Sequence, residues 1–107
     1  MATITNLDQE MPISKDANTS RPLLDLPGST KLVLFAMDQG QEISAHSAPF
    51  PAFVLLLTGS IEVMVDGKYQ VLTPGTQCAL PKGLPHGVKA LAPSHWMLTM
   101  LRGVVGL

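Results

Sequence analysis

Residues 75–90 read Gly75-Thr-Gln-Cys-Ala-Leu-Pro81-Lys-Gly83-Leu-Pro-His86-Gly-Val-Lys-Ala90. A short, mostly apolar run ends at Leu80 and meets Pro81-Lys82-Gly83-Leu84-Pro85, two prolines and a glycine within five residues. Proline fixes its own φ and glycine accepts φ values that other residues avoid, so the segment is a stiff turn that neither helix nor strand can run through. It dictates the direction in which the chain re-enters regular structure at His86. Gly75, following Pro74, forms a similar corner upstream.

Working outward from this stretch, the whole region from Lys31 onward has the same texture. Apolar runs of about five to seven residues alternate with punctuation at Gly40, Pro49, Gly59, Asp66-Gly67, Pro74-Gly75 and Pro93, which is the spacing of an all-β sandwich or barrel. Candidate strands fall at roughly 31–37, 43–46, 52–58, 60–65, 68–72, 76–80, 86–91 and 95–101. Asp66-Gly67 suits a type I′ turn and predicts a hairpin joining Ile61–Val65 to Lys68–Leu72. A second hairpin, through a loop at Ala92-Pro93-Ser94, would set His86 opposite Met100 and Leu91 opposite His95. In that register His86, Val88, Ala90, Trp96, Leu98 and Met100 share the inward face. Residues 1–29 are polar and interrupted by Pro12, Pro22 and Pro27, and they read as an irregular N-terminal arm docked by its leucines; residues 30–107 read as the barrel domain.

Composition narrows the function classes. Of 107 residues, 46% are apolar and only 14% charged, with a formal net charge of -1. The seven Lys and Arg are scattered from Lys15 to Arg102, without the basic patch expected of a nucleic-acid binder. Apolar runs reach only six residues, as at Leu32–Met37, far short of the roughly 18 residues a membrane-spanning helix needs. No secretory signal is visible at the start, and Cys78, the single cysteine, has no partner for an internal disulfide, so a soluble cytoplasmic protein is expected. The apolar excess over charge further predicts a homodimer that covers part of this surface.

A second segment complements the first: Gly40-Gln-Glu-Ile-Ser-Ala-His46-Ser-Ala48-Pro-Phe-Pro-Ala52-Phe-Val-Leu-Leu-Leu-Thr-Gly59. Together the two resemble the paired motifs of the cupin family. One family motif runs glycine, five residues, His-x-His, three or four residues, Glu, six residues, glycine; the other runs glycine, five residues, Pro-x-Gly, two residues, His, three residues, Asn. Gly40, His46 and Gly59 match the first, and Gly75, Pro81, Gly83 and His86 match the second, with Ala90 at the family's Asn. The resemblance covers about residues 30–102 and implies a cupin double-stranded β-helix, a jelly-roll barrel.

Cupins that do metal chemistry draw ligands from both His of His-x-His, the Glu and the second-motif His. By position these are His46, Ala48, Ala52 and His86, so two imidazoles remain and two ligands are alanine. The resemblance therefore implies a degenerate site at His46 and His86 for one divalent transition metal. Nickel, copper or zinc suits imidazole best, while iron chemistry of the facial type also wants a carboxylate. Glu42 shares His46's parity along a regular strand but lies about 13 Å away, Glu62 should face solvent, His95 should lie on the face opposite His86, and Cys78 reads as a small core residue. The other reading of the two histidines is structural, as barrel residues hydrogen-bonded to backbone or water.

The alanines also open the cavity, leaving Phe50, Phe53, Leu55, Trp96, Leu98 and Met100 as candidate walls of a small-molecule site or simply as barrel filling. Three functions follow: a cupin-domain protein whose cavity binds a metal ion or small-molecule ligand, a metal-dependent dioxygenase or isomerase, and a dimeric interaction or sensing module.

Overall fold

The computed structural model describes Ile4, Asn6, Leu7 and residues 11–103; the ends of the expected arm and barrel domain, at 1–3, 5, 8–10 and 104–107, lie outside the described residues. Among the described residues nine strands follow one another: β1 (Asn18–Asp25), β2 (Thr30–Met37), β3 (Glu42–His46), β4 (Ala52–Thr58), β5 (Ile61–Val65), β6 (Lys68–Leu72), β7 (Gln77–Leu80), β8 (His86–Ala90) and β9 (Ser94–Leu101). They form a five-stranded sheet of order β1-β2-β9-β4-β7 and a four-stranded sheet of order β3-β8-β5-β6, all pairs antiparallel. The expected all-β barrel is present, and its strands β2 to β9 begin and end close to the expected positions.

Each sheet turns one apolar face to the other. Val54, Leu56, Ile61, Val63, Met37 and Ala90 are almost fully buried between them. Trp96 stacks on Phe35 with ring centroids 4.1 Å apart and donates its indole N–H to Met37 Sδ at 3.1 Å. That contact satisfies the one polar atom of the largest core side chain.

The Asp66-Gly67 hairpin forms as expected, with Val65 opposite Lys68 and positive φ at both turn residues (51° and 80°). The second hairpin does not form. β8 pairs with β3 and β5, whereas β9 pairs with β2 and β4, so the Ala92-Pro93 link steps from one sheet to the other. His86 stands opposite His46 and Val65, while Met100 stands opposite Lys31 and Ala52. Two strands with apolar inward faces can satisfy them side by side or face to face. Here they do so face to face, and Val88 meets Trp96 and Leu98 across a shared cavity.

The segment read as an arm divides in two. Asn18–Asp25 form β1, an edge strand in which Pro22 costs no internal ladder bond and marks a register shift before Leu24. Upstream, Met11 and Ile13 are half-buried, and the Met11 carbonyl accepts a hydrogen bond from His95 Nε2 at 2.7 Å. Backbone pairing and this clasp hold the segment more than its leucines do, since Leu24 and Leu26 stay 43% and 48% exposed.

Candidate functional site

His86 is placed by simple alternation. β8 is an interior strand of its sheet, and His86 with Val88 and Ala90 faces inward, all buried. His46 is placed by an irregularity. Ile43 pairs with Val88 and His46 with His86, so three steps along β3 span two along β8, the signature of a β-bulge at Ser44-Ala45. In a regular strand Glu42, Ser44 and His46 would share a face. The extra residue breaks that parity: Glu42, Ser44 and Ala45 line a groove on the outer face, and His46 joins Ile43 in lining the interior cavity.

Gly87 makes room for the bulge. A Cβ there would stand 3.1 Å from the Ile43 carbonyl oxygen and 3.4 Å from the Ala45 nitrogen. The bare backbone of β8 is therefore what lets β3 kink against it.

The two imidazoles meet edge to face with ring centroids 4.5 Å apart and planes at 70°. His46 is exposed and stands at the mouth of the cavity, and its Nδ1 lies 2.9 Å from the Ser44 carbonyl. A carbonyl only accepts, so Nδ1 carries the proton and the lone pair sits on Nε2. His86 is only 9% exposed, and its buried Nδ1 has no hydrogen-bond partner. Burial, reinforced by the nearby His46, holds the His86 pKa below the ordinary imidazole value, with the Leu84 carbonyl pushing the other way.

Around the pair is a cavity of about 160 Å³, walled by Phe35, Ile43, Val54, Leu80, Trp96 and Leu98 among others. Trp96 and Leu98 were expected there. Phe53 and Leu55 were not correctly placed, because in β4 it is Ala52, Val54 and Leu56 that are buried inward, leaving Phe53 and Leu55 on the opposite face. Met100 packs at the edge of the core, and Phe50 precedes β4. Phe35, Ile43, Val54, Leu80 and Gly87 were missed. No alternation marks the apolar run from Ala52 to Leu57, so its inward set is illegible from sequence; Phe35 follows from pairing with Trp96 once β2 and β9 are adjacent.

The remaining candidates are dispersed. Ala52, at the family's Glu, is buried opposite Leu80 and Met100, and Ala48 is half-buried, its carbonyl accepting from Gly83 N–H at 2.9 Å. Glu42 is on the outer face 3.7 Å from Lys89 Nζ, and Glu62 borders the same outer groove. His95 lies on the far face of the five-stranded sheet, bonded to Thr58 Oγ1 and the Met11 carbonyl. Cys78 is half-buried, its thiol pKa pushed up by burial, and it lines a separate groove beside Asp66 and Pro81. Among the described residues no three His, Cys, Asp or Glu side chains come together as a metal-holding group.

Comparison with known proteins then fixes the family. The cupin domain model (Cupin_2) matches residues 33–100, well over half of the chain. The chain belongs to the cupin family. Among solved structures, this cupin is similar to a conserved protein of unknown function from Streptococcus pyogenes, at 30% identity and a TM-score of 0.89, covering 98% of this chain and 91% of that one. It also resembles a cupin superfamily protein from Desulfitobacterium hafniense (16% identity, TM-score 0.86, 94% and 92% covered). An RmlC-like cupin from Desulfovibrio desulfuricans is similar as well (22% identity, TM-score 0.83, 95% and 98% covered). The latter two likenesses concern the fold alone. No curated protein matches the chain. Among the described residues no helix is long and apolar enough to cross a membrane.

Proposed function

We propose that this cupin is a binding protein in which His46 and His86 together hold one ligand at the polar end of the barrel cavity. The observation that carries this reading is the meeting of the two imidazoles in the lining of one cavity, ring centroids 4.5 Å apart, with the Nδ1–H of His46 already committed to Ser44 and its Nε2 left for a ligand. Two imidazoles on adjacent strands that line one cavity can act on the same bound group.

A divalent transition metal is one such group. Metal-bound histidines characteristically donate their other ring N–H to a carbonyl or carboxylate, as His46 does to Ser44. Two imidazoles fit nickel, copper or zinc, with water or a small molecule completing the coordination. They do not make the two-His, one-carboxylate set of a non-heme iron dioxygenase, since Glu42 and Glu62 lie on the outer face. The enzyme reading, dioxygenase or isomerase, thus lacks its carboxylate. Elemental analysis after loading with nickel, copper, zinc and iron tests the metal: about one per chain is expected, lost in His46→Ala and in His86→Ala. Metal retained by both variants would overturn the assignment.

A second reading, as a dimeric interaction module, is favoured by β6. This edge strand exposes Tyr69 and Val71 at 67% and 58%, an apolar strip that a second copy could cover. Light scattering of wild type and Val71→Lys tests it, with a dimer in the first and a monomer in the second expected. A cytoplasmic setting, with its reduced thiols, suits the single unpaired cysteine.

A further inference from the structure

We infer that the organic ligand of this cavity is a compact, neutral, single-ring molecule carrying a hydroxyl group, of the phenol class, and not a carboxylate. The inference rests on the proposed role of the His46–His86 pair and adds the chemistry of what the pair holds.

Size sets the first limit. The cavity measures about 160 Å³, and an apolar cavity of about 150 Å³ takes one benzene. A sugar phosphate or a nucleotide exceeds that space. Shape and polarity set the second. The histidines share the lining with the stacked Phe35 and Trp96 rings and with Val54, Leu80 and Leu98, an apolar and aromatic surround.

Charge sets the third. Among the described residues lining the cavity none is Lys, Arg, Asp or Glu. A carboxylate placed there would be desolvated without a cation to balance it. The polar part of the lining instead offers the Nε2 lone pair of His46, beside the His86 ring. A hydroxyl is both donor and acceptor. It donates to the His46 Nε2 lone pair, which neither a hydrocarbon nor a carboxylate can do.

Trp96, the single tryptophan, lines the cavity and reports occupancy. The metal-free protein is titrated with phenol, toluene and benzoate while Trp96 fluorescence is excited at its red edge. Phenol is expected to saturate the signal and to bind roughly three- to ten-fold tighter than toluene, the ratio one neutral hydrogen bond supplies, with benzoate weakest. In His46→Ala, whose folding is checked by circular dichroism, phenol should fall to the toluene value. Benzoate binding as well as phenol, or phenol showing no preference over toluene, overturns the inference. So does the absence of saturable binding by either aromatic. Zinc titration of the same samples separates the two levels: zinc bound with phenol rejected removes the ligand class and leaves the histidine pair standing, and rejection of both removes both.

Discussion

β3 and β8 lie side by side and each delivers one histidine to the same cavity, by opposite means. β8 is an interior, regular strand, and inward alternation alone aims His86. β3 is an edge strand with four of its five residues exposed, and its histidine reaches the cavity only because a bulge reverses the side-chain parity between Glu42 and His46. The comparison teaches that half of the pair is built by the core and half by a local defect in the ladder. Bulges serve elsewhere to re-aim side chains beside functional sites. Here the feature that accommodates the bulge sits on the other strand, at Gly87.

The comparison breaks most completely at Gly87. In Gly87→Val, a branched side chain would push into the backbone of Ile43 and Ala45, so β3 must shift and His46 loses its aim. Overpacking of this kind costs about 1–3 kcal/mol, measurable by denaturant titration, and metal affinity should fall by about ten-fold or more, the scale of removing support for a ligating histidine. Unchanged affinity would mean that the bulge does not depend on Gly87.

Deleting Ala45 removes the extra residue itself. Ile43 and His46 are then two residues apart, so regular alternation keeps both on the inward face, with His46 still opposite His86. Binding should stay within about ten-fold of wild type, which calorimetry with nickel would detect. Binding lost to the level of His46→Ala would show that the bulged backbone itself, beyond the face it selects, aims the histidine.

A third prediction separates the histidines by pH. The folded-state pKa of His86 is depressed below its ordinary 6.5, so its contribution to stability is present above pH 6.5 and lost as pH falls through the folded value. Thermal unfolding midpoints should decline on acidification from neutrality, and His86→Gln should flatten that decline. An equal decline in His86→Gln would assign the acid sensitivity to another group.

The smallest effects belong to the exposed strand. His46→Ala should change stability by no more than about 0.5 kcal/mol, as for most surface substitutions, although it abolishes binding. Glu42→Gln removes only an exposed ion pair with Lys89, worth about 0.2–1 kcal/mol, and should leave metal binding intact. Loss of metal in Glu42→Gln would place that carboxylate at the site after all.

These contrasts also explain what the sequence made legible. Glycine and proline corners punctuate β2 to β9 so regularly that the strands, the Asp66-Gly67 hairpin and the barrel follow from turn chemistry and the cupin motifs. β1 was obscured by Pro22 and its polar neighbours, since an edge strand needs neither an uninterrupted apolar run nor every N–H. The partners of β8 and β9 were obscured because a short link through Pro93 serves a hairpin and a step between sheets equally well. His46 and His86 were legible as members of a motif, but the geometry bringing them together was not. A one-residue bulge leaves no periodic signal in a five-residue strand, and Gly87 acquires its meaning only from the backbone across from it.

The central claim, that two differently built strands present one bifunctional site, is tested most directly by nitrogen-15 NMR of the three imidazoles during zinc titration. At neutral pH the account predicts His46 in its Nδ1–H tautomer. It predicts that the ring nitrogens of His46 and His86 shift together and saturate near one zinc per chain, while His95, bonded to Thr58 and Met11 on the far face, stays unmoved. A shift of one histidine without the other, or of His95 in their place, would contradict it.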